Sequence, residues 1–479
     1  MYGPAPAING PKRSQQAIAR HSQPSLTISY PSQSLRFLQN LKDRVTSPQE
    51  SLSSSHPTPA RLRLNIVIVG AGLGGLSLAI ALARRGHSVG AGIQIPPNSG
   101  RLLHRWGVFE YLEKLAVKPE GINFRRWENG QTIGYTALGK SFQEDFEVPY
   151  YVVHRAHVHE ALHQRALDLG VLVELESRVV QYHEEHSTIV LENGSVIQGD
   201  LVVAADGIKS RARKAIHPNL CQDPQFNGFA AYRATVDVQK MQKDPEIAWI
   251  LEKPSLNLRR IGEDRHVMTY TIAGGDSFNM VLSHIDHSEP ATWTERFAKE
   301  HIQKEFSGWD PQLTKIISLI DESVKWPLKV GKQLNSWTSP SAKLVILGDA
   351  AHAMLPYMSQ GAAMAVEDSA ALAVVLNCIS TLEELPFAMR AFEKERIKRS
   401  SDMQNASTVN GLIWHFADGP EQRARDASMA AEVVGSPFTK SANQWSDPVT
   451  QWWAYGHDAE KRMEEAWNEA VRDLIIRAG

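Results

Sequence analysis

The chain has 479 residues, more than one hydrophobic core usually covers, so the length points to two or three domains. Lys and Arg number 51 against 53 Asp and Glu, a net charge of -2, which argues against a dedicated nucleic-acid binder. The only cysteines, Cys221 and Cys378, exclude a disulfide scaffold, a four-cysteine zinc site and a thiolate-held iron–sulfur cluster.

Residues 1–60 hold eleven serines and eight prolines and show no periodicity, which predicts a disordered, dispensable leader. Its first acidic residue is Asp43, after five Lys and Arg residues. The expected location is cytoplasmic, with mitochondrial targeting by the basic leader as the alternative. No run of about 20 apolar residues exists, so no transmembrane segment is expected.

Order is expected from Leu62. Residues 64–69 form a short β-branched run, continuously apolar from Ile66 to Val69, as in a strand buried on both faces. Residues 73–85 are rich in Ala and Leu and predict a helix closed by Gly86. Residues 99–115 predict a helix interrupted near Gly107, 122–153 extended segments, and 157–169 a helix. Strands are predicted over 171–175 and 187–191, and Asn193-Gly194 turns the latter back into 195–197. A further buried strand covers 201–205. Residues 226–337 change character, with alternating stretches at 265–272 and 277–282 that predict a sheet domain. The α/β pattern returns at 343–347, and helices are expected over 360–378, 384–408 and 458–476. The fold class is therefore α/β with an inserted, mainly β-sheet domain. The boundaries are a leader 1–60, a discontinuous first domain of 61–225 and 338–410, a sheet domain 226–337 and a helical tail 411–479.

Three corners carry chemistry. Gly70, Gly72 and Gly75 make G-x-G-x-x-G directly between a strand and a helix. The spacing permits a tight turn, close approach of a pyrophosphate, and close helix–strand contact. The helix N-terminus adds free amides and a positive dipole end. The acidic residue expected about twenty positions later to hold a ribose is missing: no Asp or Glu occurs between Ser51 and Phe109. Asp206-Gly207 ends a second buried strand, with Ser210 able to cap the next helix. Gly348-Asp349 ends a third, followed by Gln360-Gly361-Ala362 opening a helix. Each corner alone has an ordinary reading as a ligand-free turn.

Together these motifs resemble the single-component, class A FAD-dependent aromatic monooxygenases, most closely their fungal salicylate-hydroxylase-like branch. The resemblance spans about 62–410, and residues 451–458, QWWAYGHD, also look like that branch's tail. It implies a Rossmann-type FAD-binding domain in which Gly70, Gly72 and Gly75 take the adenosine-side pyrophosphate. It implies that Asp206 touches FAD near the arriving nicotinamide, that Asp349 binds the ribityl group, and that Gly361 and Ala362 meet the flavin end. Arg155 matches an FAD-contacting arginine, and Ala91 a loop contact beside the cofactor. The implied co-substrates are NADH or NADPH, O₂ and a small phenolic or aromatic-acid substrate, hydroxylated through a flavin C4a-hydroperoxide by a monomer or homodimer. Other flavin chemistry of fungal secondary metabolism (epoxidation or oxidation) and an inactive FAD-fold remnant are the alternatives.

Hydroxylation of this kind requires a group that favours the phenolate form. Arg233 is the first candidate, because a guanidinium is a permanent cation with a fixed donor fork. Tyr270 is the second, on a central strand of the sheet domain, and His266, four residues earlier on the same face, competes with it. His352 is read as structural, and His154, His157, His159 and His163 as surface residues. No metal site is expected.

Overall fold

Three parallel strands, Ile66–Val69, Leu201–Ala204 and Leu344–Ile346, form a sheet with Leu201–Ala204 in the middle. The computed structural model that shows them describes residues 60–85, 95–219, 223–252, 256–272, 277–290, 293 and 299–478. The middle strand is wholly buried, as its unbroken apolar run requires. Helices Leu73–Ala83 and Gly361–Cys378 pack together beside it, and Ser369 Oγ donates to Gly74 O at 3.0 Å. By length and composition Gly361–Cys378 is apolar enough to cross a membrane, yet most of it is buried within the fold.

The second sheet has seven strands in the order Ser323–Val330, Gln225–Asp237, Ser277–Ile285, Arg265–Ile272, Leu256–Gly262, Gly121–Arg126 and Thr132–Ala137. Five come from the stretch predicted as the sheet domain. The other two come from 121–137, inside what was read as the first domain. Gly121–Arg126 joins by pairing in parallel with Leu256–Gly262. Side chains alternate between the two faces. Tyr232, Ala234 and Val236 meet a core built with Ile302, Phe306 and Leu313. The opposite face meets a second core that includes Tyr357, Trp414, Trp445 and Tyr455.

Several elements depart from the sequence expectation. Within 122–153 lies a helix, Lys140–Phe146, whose Phe142 and Phe146 stand at i,i+4 with ring centres 4.8 Å apart in the second core. Residues 171–175 are not a strand: Leu172 is 86% and Leu175 70% exposed, and no described strand pairs with them. The small sheet beside them is Val179–His183, Thr188–Leu191 and Val196–Gln198, with the predicted turn at Asn193-Gly194. The interruption predicted near Gly107 is present: at φ 77° it separates Pro97–Arg105 from Phe109–Leu112. The tail continues as Leu385–Trp414, Pro420–Val433, Pro448–Tyr455 and Ala459–Ala478. The leader up to residue 59, Ala91 and Cys221 lie outside the described residues.

Candidate active site

The three parallel strands end side by side, so the corners predicted from sequence converge at their carboxyl ends, where open α/β sheets take ligands. Gly70 has φ 107°, and a Cβ there would lie 2.3 Å from Ala205 O, so the first turn is wedged against the Asp206 corner. A Cβ on Gly72 would meet nothing within 4 Å, so the turn opens onto free space. The tight helix–strand contact falls at Gly74, where a Cβ would lie 2.6 Å from Leu347 Cδ1; Gly75 is buried behind it in the same helix.

Asp206 Oδ2 accepts from Tyr182 Oη at 3.0 Å and from the amides of Arg211 and Ala212 at 2.9 and 3.2 Å. Its Oδ1 is buried with no partner among the described residues. Burial and the Asp206 charge push the Tyr182 phenol far above its ordinary value. Ser210 caps the following helix by accepting from Arg213 N at 2.9 Å, as its position predicts. Gly348 holds φ 60° and leads into Asp349, which is exposed at the start of the Asp349–His352 turn. Gly361 and Ala362 are half-buried at the start of their helix.

Arg155 opens the helix Arg155–Asp168, whose N-cap His154 accepts from Ala156 N. Desolvation and then the Arg233 charge pull its pKa down, while Asp349 pulls it up. The predicted substrate arginine, the predicted cofactor arginine and the ribityl aspartate therefore share one electrostatic neighbourhood. Arg233 itself is exposed, on the sheet face opposite Tyr232, and has no hydrogen bond or ion pair with a described residue.

Tyr270 lies on the same sheet face, half-buried and level with Asn279. Its hydroxyl neighbours Arg259 and Tyr150. Arg259 is the residue that sequence reasoning missed. It is buried, its guanidinium lies 4.2 Å from the Trp445 ring centre and 5.5 Å from that of Trp414, and NH1 donates to Met268 Sδ at 2.9 Å. Its Nε has no partner, and no described carboxylate pairs with it. Arg260, the next residue, faces the other core and is paired with Asp310. Burial lowers the pKa of Arg259, and only the phenols of Tyr150, Tyr455 and Tyr270 oppose this. Burial in turn pushes the Tyr150 phenol to about 12.

His266 does not compete with Tyr270. It is buried with Nδ1 2.8 Å from His415 Nε2, edge-on to Tyr357 and Trp414. Desolvation and the His415 and Arg259 charges hold its pKa well below the ordinary histidine value, and burial lowers His415 to about 3. Packed against His415 and these rings, His266 faces no open space. His352 is buried with Nε2 2.6 Å from Asp368 Oδ2, the structural role expected of it. His159 Nε2 lies 3.0 Å from Ala71 O, behind the glycine turn. Among the described residues no group of three His, Cys, Asp or Glu side chains suits a metal.

These residues suit a flavin dinucleotide from pyrophosphate to ring. The open space at Gly72, the orphan Asp206 Oδ1 and the exposed Asp349 each offer what a phosphate, an amide or hydroxyl donor, and a sugar chain need. At the adenosine ribose end no acidic residue of the second strand is available, because the sequence has none there.

A family model described as "FAD binding domain" matches residues 63–407. FAD-dependent monooxygenase OpS4 of Beauveria bassiana is 33% identical over 375 residues, 78% of this chain and 87% of its own length. The 3-amino-4-hydroxybenzoate 2-monooxygenase PtmB3 of Streptomyces platensis is 31% identical over 373 residues, 77% of this chain and 87% of its own length. The fold matches a salicylate hydroxylase substrate complex with a TM-score of 0.71 at 21% identity, covering 84% of this chain and 98% of that one.

Proposed function

This chain belongs to the single-component, FAD-dependent aromatic monooxygenases, and from that premise we propose that it hydroxylates a small phenolic carboxylic acid at the expense of NADH or NADPH. The carrying observation is Arg259: a buried guanidinium on the substrate face with no carboxylate of its own. A buried charge left uncompensated is strongly unfavourable, and a substrate carboxylate removes that penalty.

In this reading the Gly70–Gly75 turn, Arg155, Asp206, Asp349, Gly361 and Ala362 hold the cofactor, with Ala91 as a further contact. FAD, when bound, supplies hydride acceptance and oxygen activation. The protein's own residues bind and orient the ring. Arg259 takes the carboxylate, as a planar fork suits it. Arg233, beside Arg155 and Asp349, stabilises negative charge on the ring hydroxyl at the cofactor end. Tyr270 Oη exchanges a proton with that hydroxyl. Trp414, Trp445 and Tyr455 wall the face against water, which strengthens each of these interactions. The name of PtmB3, an aminohydroxybenzoate oxygenase, supports a ring that carries both a carboxylate and a hydroxyl.

The test is NADH and NADPH oxidation by the flavin-loaded protein with hydroxybenzoates, salicylate first, and with the matching phenols and amides. A product heavier by one oxygen identifies hydroxylation. An added oxygen with loss of CO₂ identifies decarboxylative hydroxylation. Phenols and amides turned over as well as the acids would remove the carboxylate from the proposal.

A further inference from the structure

The helix Gly361–Cys378 carries two adjacent acids, Glu367 and Asp368, both fully buried. Neighbouring helix positions point about 100° apart, so the two reach different parts of the fold. Asp368 Oδ2 accepts from Gly348 N at 3.0 Å and lies 2.6 Å from His352 Nε2, at the two ends of the corner that presents Asp349. Glu367 Oε1 accepts from Asn98 Nδ2 at 2.7 Å, and the same amide donates to Gln360 Oε1 at 2.9 Å, immediately before Gly361. Each acid thus braces one of the corners assigned to the ribityl chain and the flavin end.

One guanidinium closes both. Arg396 donates from Nε to Asp368 Oδ1 at 2.9 Å and from NH1 to Glu367 Oε2 at 2.7 Å. Arg399 donates to Glu367 from NH2 at 2.9 Å, and to the carbonyls of Trp453 and Ala454 at 2.8 and 3.0 Å. Two buried anions are matched by two buried cations, and each guanidinium spans partners that a point charge cannot span together.

We propose that Arg396 and Arg399 are positioning residues for the cofactor site: Arg396 keeps the Gly348–Asp349 and Gln360–Ala362 corners in register, and Arg399 ties that register to the C-terminal segment 453–457. This rests on the assignment of those corners to FAD. It makes FAD affinity depend on residues that do not touch FAD, and it makes the tail part of the holoenzyme's cofactor site.

The test is flavin-fluorescence titration of the apoprotein with FAD, together with amide hydrogen exchange and melting, on the parent and Arg396→Lys. The lysine keeps the charge and loses the fork. The expected result is FAD affinity weaker by about tenfold or more, with faster exchange at 348–351 and 361–364 together and unchanged exchange elsewhere in the core. A purely structural role predicts a lower melting temperature, faster exchange throughout and FAD affinity within about twofold of the parent; that result overturns the proposal. If Arg396→Lys does not fold, Arg399→Lys decides. It should loosen 361–364 and 453–457 and weaken FAD binding, leaving 348–351 unchanged, and any other pattern overturns the proposal. A parent apoprotein that takes up no FAD overturns the cofactor assignment as well. A parent that binds FAD beside variants that bind it equally well overturns the coupling alone.

Discussion

Arg233 and Arg259 stand on one transverse row of the seven-stranded sheet: Arg233 is level with Val281, Val281 with Met268, and Met268 with Arg259. Three strand steps separate their Cα atoms by about 14 Å, with both side chains on one face. The two arginines are assigned to different groups of one ring, so their substitutions should change different kinetic constants. Arg259→Met removes a buried charge that lacks a carboxylate partner, so stability should hold or rise. KM for an aromatic acid should rise about ten- to hundredfold, from the loss of about 1.5–3 kcal/mol of charge-assisted bonding. KM for the amide analogue should stay as it was. Arg233→Ala should instead lower product formation by about 10²–10³, with some NAD(P)H oxidation persisting uncoupled. Product per NAD(P)H consumed separates the two, and equal losses for acid and amide in Arg259→Met would take that residue out of the site.

Asp349→Ala removes an exposed carboxylate at the end of the Leu344–Ile346 strand. Apoprotein melting should be unchanged. FAD should bind about ten- to hundredfold more weakly, the equivalent of one charge-assisted bond of about 1.5–3 kcal/mol. Equilibrium titration of the apoprotein measures this, and unchanged affinity would reduce the Gly348–Asp349 corner to a turn.

The three strand-end corners were legible because they are local. Each is an apolar run, a glycine or Asp-Gly corner and a helix signal within about fifteen residues, so no distant partner has to be known. Residues 171–175 show the limit. Val171, Val173 and the leucines between and after them look like a strand, yet a strand needs a neighbour, and only Val171 is buried. Arg259 was illegible for the same reason. Period two puts Arg259 and Arg260 on opposite faces, but which arginine is paired depends on Asp310, fifty residues away. The walls of Trp414 and Trp445 come from the tail, which no local pattern ties to the sheet. The partners Arg396 and Arg399 were equally silent, since adjacent acids in an apolar helix reveal no partner until the fold brings the arginines to them.

Two alanine substitutions in the glycine turn should part company. Gly70→Ala puts a Cβ 2.3 Å from Ala205 O at φ 107°, so the apoprotein itself should be destabilised, by about 2 kcal/mol or more. Gly72→Ala meets nothing within 4 Å, so the apoprotein should melt as the parent does while FAD affinity falls, because the methyl occupies the approach of the pyrophosphate. Melting and FAD titration of both apoproteins check this. A Gly72→Ala protein with parental affinity would mean that the phosphates do not approach there.

Glu464, on the helix Ala459–Ala478, lines a small cavity with Arg85, Asn377 and Trp467. Burial, then the Glu460 charge, raises its pKa to about 7, against the opposing pull of Arg85. The unfolded chain releases this proton near the ordinary glutamate value of 4.5, so between pH 4.5 and 7 the folded state binds the extra proton. Stability from this group therefore falls as pH rises through that window, and the full penalty is present above pH 7. Glu464→Gln removes the charge and keeps the shape. Because the side chain is only partly buried, solvent screening limits the gain to about 1 kcal/mol. The variant should melt with the parent at pH 4.5 and about 2 °C above it at pH 8. Melting curves across that range check the sign as well as the size. A variant that is less stable than the parent at pH 8 would mean that the ionised carboxylate is bound by Arg85 rather than opposed by its burial.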